Sequence, residues 1–206
     1  LINHYEKLKQ NIITKKVLSK RDFENLIIYA TIIFTFQEGK TAFENTDFLL
    51  STEGFQKQIL GWARAIARER FNDPYTALLL LKSSISSGND SEALSQAQRI
   101  YEKFPDFIDP LLDTLITIHP PPDLENSFNQ FVTELYVKKG DLDASLTRLE
   151  EQLKRDPSKI DDVIKTLREL QRQQPQNLKV LFSLTDNLLN VGRISLAISE
   201  FDKILE

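Results

Sequence analysis

Gly39-Lys40-Thr41 carries the residue types that close a phosphate-binding loop, where a lysine and a hydroxyl would hold a nucleotide's phosphates and metal ion. The pattern G-x-x-x-x-G-K-[ST] places its first glycine at residue 34, which is Phe34, so no such loop is expected. His4 and His119 stand far apart, and neither belongs to a His-Glu motif. A metal site needs three or four convergent ligands, so both read as ordinary surface or turn histidines. The carboxylate pairs Glu150-Glu151 and Asp161-Asp162 are adjacent rather than one helical turn apart, which keeps each pair from facing one cleft. Serines are frequent, but no G-x-S-x-G elbow occurs. With no cysteine, thiolate nucleophiles, disulfides and cysteine metal sites are excluded together. No catalytic residue, metal or cofactor is therefore expected, nor an enzyme. One basic constellation is left: Arg64 and Arg68 share a helix face, with Arg70 and Trp62 nearby. It reads either as a seat for an acidic peptide or phosphate or as a solvated face balanced by Glu69.

The 206 residues are 41% apolar and 27% charged with a net charge of −4, ordinary values for a folded chain and no footprint of nucleic-acid binding. A basic N-terminal cluster (Lys7, Lys9, Lys15, Lys16, Lys20, Arg21) reads as a solvated helix face. The longest apolar run, 26–36, is well short of a membrane span and is expected as a buried helix. No signal peptide is read, and a cytoplasmic location is favoured. Methionine is absent, and the pattern starts and stops in mid-unit, so the chain is expected to be part of a longer protein.

The elements follow from one stretch, 126–157. Phe128, Phe131, Val132, Leu135 and Tyr136 recur at helical spacing, Gly140 supplies a turn, and Leu142, Leu146, Leu149 and Leu153 recur again before Pro157. This is a helical hairpin, and it recurs over 74–105 and from 178 onward. The turn glycines Gly88, Gly140 and Gly192 are spaced by 52 residues. A third helix completes each unit, since FIDPLLDTLITIH and KIDDVIKTLRELQ align Ile108 with Ile160 and Leu115 with Leu167. The same shift puts Ile59 and Leu60 under Leu111 and Leu112, so 55–71 is the third helix of a degenerate first unit. The expected order is a capping helix over 1–20, then units 21–73, 74–125, 126–177 and a partial unit 178–206. Asp22 is expected to cap the helix that Gly39 ends, and Leu149 and Phe201 are expected in the core.

Against the pattern W-x2-L-G-x2-Y…A-x3-F…P, Val132 and Thr133 fall at the L-G pair, Tyr136 at the Tyr, Ser145 at the Ala, Leu149 at the Phe and Pro157 at the Pro. The chain thus resembles the tetratricopeptide repeat family, in a variant with an extra third helix. The resemblance implies an all-α right-handed helical-repeat solenoid and a non-catalytic scaffold or adaptor for protein–protein interaction. It places a concave groove on Tyr75, Leu78, Lys82, Gln130, Glu134, Lys179, Phe182 and Asp186, a surface for a peptide or amphipathic helix. Alternatively, third helices cover Tyr75, Leu78 and Phe182. The combination of Lys, Asn and Arg by which family members clamp a terminal carboxylate is not found at these places, which hold Lys82 and Lys179 but no Asn or Arg. A peptide-sensing regulatory module is the alternative function. The expected partner is a protein or peptide, without nucleic acid or membrane insertion, and a homodimer through an uncapped final helix is a further expectation.

Overall fold

The computed structural model describes residues 5–7, 9–10, 19–118, 120 and 122–205, and every regular element among them is helical. His4, Lys15, Lys16, His119 and most of the expected helix over 1–20 lie outside the described residues. Tyr5 is described and buried, its hydroxyl donating to the Asn45 carbonyl. The chain divides into two compact units, Leu1–His119 and Pro120–Glu206.

Unit 1 holds α1 (Lys20–Phe36), α2 (Gly39–Thr46), α3 (Gln56–Glu69), α4 (Pro74–Ser86), α5 (Asp90–Lys103) and α6 (Ile108–Leu115). The β-branched run in α1 is helical because Leu26, Ala30 and Phe34 put a buried stripe at every fourth position. Thr31 and Thr35 fit the helix by donating their hydroxyls to the carbonyls of Ile27 and Thr31. Contrary to expectation the run is buried on one face alone: Ile28 is 57% exposed and Phe36 82%. Ser19, not Asp22, caps α1. Its hydroxyl accepts the Asp22 N–H at 3.1 Å and donates to the Asp22 carboxylate at 2.7 Å, so Asp22 serves in the first turn.

Gly39 opens α2 instead of ending α1, since the chain leaves α1 at Gln37 with extended backbone. What requires glycine there is close approach: a Cβ would lie 2.1 Å from the Asp73 carboxylate. That carboxylate accepts the Tyr75 N–H at the start of α4 and pairs with Arg70 at 3.1 Å. Arg70 in turn donates to the carbonyls of Phe34 and Gln37, satisfying the end of α1. Pro74 stands at the first helical position of α4, where its missing N–H costs nothing.

Unit 2 holds α7 (Glu125–Lys139), α8 (Leu142–Arg155), α9 (Ile160–Gln173), α10 (Leu178–Asn190) and α11 (Ile194–Leu205). The hairpins α4–α5, α7–α8 and α10–α11 share one turn. Gly88, Gly140 and Gly192 have φ of 73°, 85° and 72°, a left-handed backbone that a side chain would strain. Each glycine N–H bonds the carbonyl three residues back, and the next N–H reaches the carbonyl five back, as in Asp141 to Tyr136 at 2.8 Å. Ala93, Ser145 and Ala197, spaced by the same 52 residues, are no more than 2% exposed, and their small side chains let the paired helices approach closely.

The third helices α6 and α9 each follow a short 3-10 turn, Pro105–Phe107 and Pro157–Lys159. Leu111, Leu112 and Leu115 are buried on α6, Val163, Ile164 and Leu167 on α9, and Ile59, Leu60 and Ala63 on α3. In unit 2 a single apolar cluster joins Leu146 and Leu149 of α8, Val163, Ile164, Leu167 and Leu170 of α9, and Val180, Leu184 and Leu188 of α10. In unit 2, α9 is therefore the filling between the α7–α8 hairpin and the α10–α11 hairpin. Each such side chain contributes ~1.5–3 kcal/mol on burial. Leu149 is in this core as expected, whereas Phe201 is 41% exposed. Ala197 and Glu200 take the buried side of α11, and Phe201 falls a further 100° around the helix.

Candidate functional site

In unit 2 the helices α7, α8 and α9 enclose a cleft of about 820 Å³. Its depth is apolar, from Val137 of α7, Leu149 of α8, and Ile164 and Leu170 of α9. Its rim carries both signs of charge. Arg172 is paired with Glu169 at 3.0 Å, Arg193 with Asp161 at 2.8 Å, and Asp162 accepts a hydrogen bond from the Asn126 amide. Glu134, Lys165 and Arg168 also line the cleft and have no hydrogen bond or ion pair among the described residues. Thr133 lines it as well, at 1% exposure and with its hydroxyl unpartnered. Leu149, Ile164 and Leu170 are core residues at 5% exposure or less, so the free apolar surface of the cleft is centred on Val137, with charge selection above it.

Two of the eight residues expected to form a groove, Gln130 and Glu134, line this cleft. The unit 1 residues do something else. Leu78 is 3% exposed and belongs to the core, so it is removed as a surface contact. Tyr75 packs edge-on against Phe107 at 4.9 Å and lies 6.1 Å from Phe43, while the Lys82 ammonium sits 5.0 Å above the Phe43 ring. Tyr75 and Lys82 thus belong to an aromatic cluster of α2, α4 and the 3-10 turn that precedes α6. On α10, Lys179 is paired with Asp143 at 2.5 Å and Asp186 is exposed. Phe182, 45% exposed, meets Phe201 edge-on at 6.3 Å, beside the outward stripe of Ile194 and Ile198.

What the sequence reading missed is the contribution of the third helix. Lys165, Arg168 and Ile164 come from α9, which the family pattern does not contain. The signal was present: Val163, Ile164, Leu167 and Leu170 define one apolar face of α9, and Lys165 and Arg168 must therefore point away from it. Among the described residues no group of three or more His, Asp or Glu side chains is placed to hold a metal ion, and no helix is long and apolar enough to cross a membrane. No protein-family model matches the chain, and no curated protein is similar to it in sequence.

Proposed function

We propose that this chain is a non-catalytic scaffold or adaptor of tetratricopeptide type, a right-handed helical-repeat solenoid with three helices per unit, and that it binds an amphipathic helix or extended peptide from a partner protein. The observation that carries the reading is the unit 2 cleft, where the partly exposed Val137, backed by the core residues Leu149, Ile164 and Leu170, lies beneath the unpaired charges of Glu134, Lys165 and Arg168. An amphipathic helix has the same division, an apolar stripe flanked by charges. The repeated hairpin turn at Gly88, Gly140 and Gly192 supports the repeat architecture.

The test is affinity capture from the native lysate with the wild-type chain and with Glu134→Lys/Lys165→Glu as baits. Both positions are exposed, so circular dichroism is expected to show unchanged helices. A partner held by the wild type and lost by the swap supports the cleft. Capture indifferent to the swap removes it. The same reading takes the outward stripe of Ile194, Ile198 and Phe201 as a surface on which two copies pair. Sedimentation over a dilution series then shows a dimer that Ile198→Lys converts to monomer.

A further inference from the structure

Unit 1 contains a second cleft of about 450 Å³, between α3 and α5 and floored by α4. Its walls are cationic. Arg64 and Arg68 stand one turn apart on α3, Arg99 and Lys103 one turn apart on α5, and all four line the space. Glu92 is the one carboxylate in the lining, and Arg64 holds it through two hydrogen bonds, Nε to Oε1 at 3.2 Å and Nη2 to Oε2 at 2.6 Å. Glu69, adjacent to Arg68 in sequence, is not in the lining and balances nothing there. Lys103 donates to the Phe71 carbonyl at 2.6 Å and lies over the Phe71 ring at 4.7 Å. Arg68 and Arg99 have no hydrogen bond, ion pair or ring contact among the described residues. Two unpaired guanidinium groups thus share one cleft in a chain whose net charge is −4. An anion placed there gains attraction from both.

The floor decides which anion. Leu80 and Ile100 are buried there, Ala77 and Phe104 flank them, and Phe71 projects at the rim with 65% of its surface exposed. The Thr76 hydroxyl is already committed, donating to the carbonyls of Arg70 and Asp73. A bare phosphate would meet a mostly apolar floor, with Gln96 as the one neutral amide donor in the lining. A nucleic-acid backbone needs a run of cations along its path, beyond the two facing pairs present here.

We propose that this cleft binds an acidic peptide segment of a partner protein, with an apolar or aromatic side chain seated against Ala77, Phe104 and Phe71 and flanking carboxylates paired with Arg68 and Arg99. Guanidinium forks suit carboxylates because two parallel N–H bonds can form to one group. The site is separate from the unit 2 cleft, so the swap at Glu134 and Lys165 leaves it unchanged.

The experiment is fluorescence anisotropy on the whole chain with a short labelled peptide that carries glutamates around a central phenylalanine. Comparison ligands are the glutamine version of the peptide, the version with alanine for phenylalanine, a single-stranded oligonucleotide and inorganic phosphate as competitor. Saturable binding is expected, weakening as salt rises and falling about tenfold or more in Arg68→Glu/Arg99→Glu, with a smaller loss in Arg68→Gln/Arg99→Gln. Both arginines are exposed, and unchanged circular dichroism is expected for each variant. The alanine peptide loses affinity and the glutamine peptide does not bind. Equal binding of the glutamine peptide, indifference to both double variants, tighter binding of the oligonucleotide, or full displacement by millimolar phosphate would each overturn the proposal.

Discussion

At the level of single residues, backbone conformation and pairing can be separated from packing. Gly140 has φ of 85°, and a Cβ added there would meet open space, so Gly140→Ala is penalised by backbone strain alone, ~1–2 kcal/mol. Gly61 also faces open space but lies within α3 at ordinary helical angles, so Gly61→Ala is expected to stabilise by ~0.5–1 kcal/mol. Urea unfolding of the two variants should move in opposite directions. A second residue-scale case is Arg148, which donates to the Asn129 side chain at 3.0 Å and stacks on Phe128 at 5.6 Å. Burial pulls its guanidinium below the usual arginine value, and both its Nε and the Asn129 amide nitrogen lack a partner. Arg148→Met strands the buried Asn129 oxygen and is expected to cost ~1–3 kcal/mol, whereas Arg148→Met with Asn129→Leu recovers most of that loss. Additive losses in the double-mutant cycle would show that the pair is not coupled.

Among the elements of unit 2, α9 determines how the two hairpins are joined. α9 contributes four of the side chains in the cluster that links α8 to α10, so Leu149→Ala leaves a void in that cluster and is expected to cost ~2–5 kcal/mol in urea unfolding. Phe201→Ala, at 41% exposure, should cost far less, and a comparable loss would show that α11 is covered in solution. The hairpins and their 52-residue spacing were legible because glycine is what a left-handed turn requires and because the burial stripe repeats with it. Asp22 and Gly39 misled because a cap and a close approach use the same residue types as the positions they were given. Whether Asp22 or Ser19 caps α1 depends on where the chain turns, and the glycine at residue 39 answers a carboxylate at residue 73 that no local pattern announces. The clefts were legible only by halves. Gln130 and Glu134 were found on the first helix of their unit, and Arg64 and Arg68 on α3, but the facing residues lie on other helices and are joined to them only by folding.

For the molecule as a whole, a repeat of 52 residues implies that stability is repeated as well. Each hairpin's first helix is buried over a broad arc: Leu79 and Leu80 on α4, Val132 and Thr133 on α7, and Leu184 and Thr185 on α10 are neighbours set about 100° apart around the helix, and none is more than 9% exposed. The third helices are covered mainly along one face, and α11 buries Ala197 and Glu200 while Ile194, Leu196 and Ile198 remain exposed. Amide hydrogens exchange when a segment opens locally, and the opening free energy follows how much packing the segment would lose. Native-state hydrogen exchange should therefore give three maxima of protection, on α4, α7 and α10, spaced by the same interval as the turn glycines, with minima at the glycine turns and fast exchange along α11. Quasi-independent repeats with nearest-neighbour coupling produce this pattern. A flat profile across each compact unit, with α11 protected as well as α10, would mean that cooperativity extends over whole units and that the periodic sequence does not set the unit of stability.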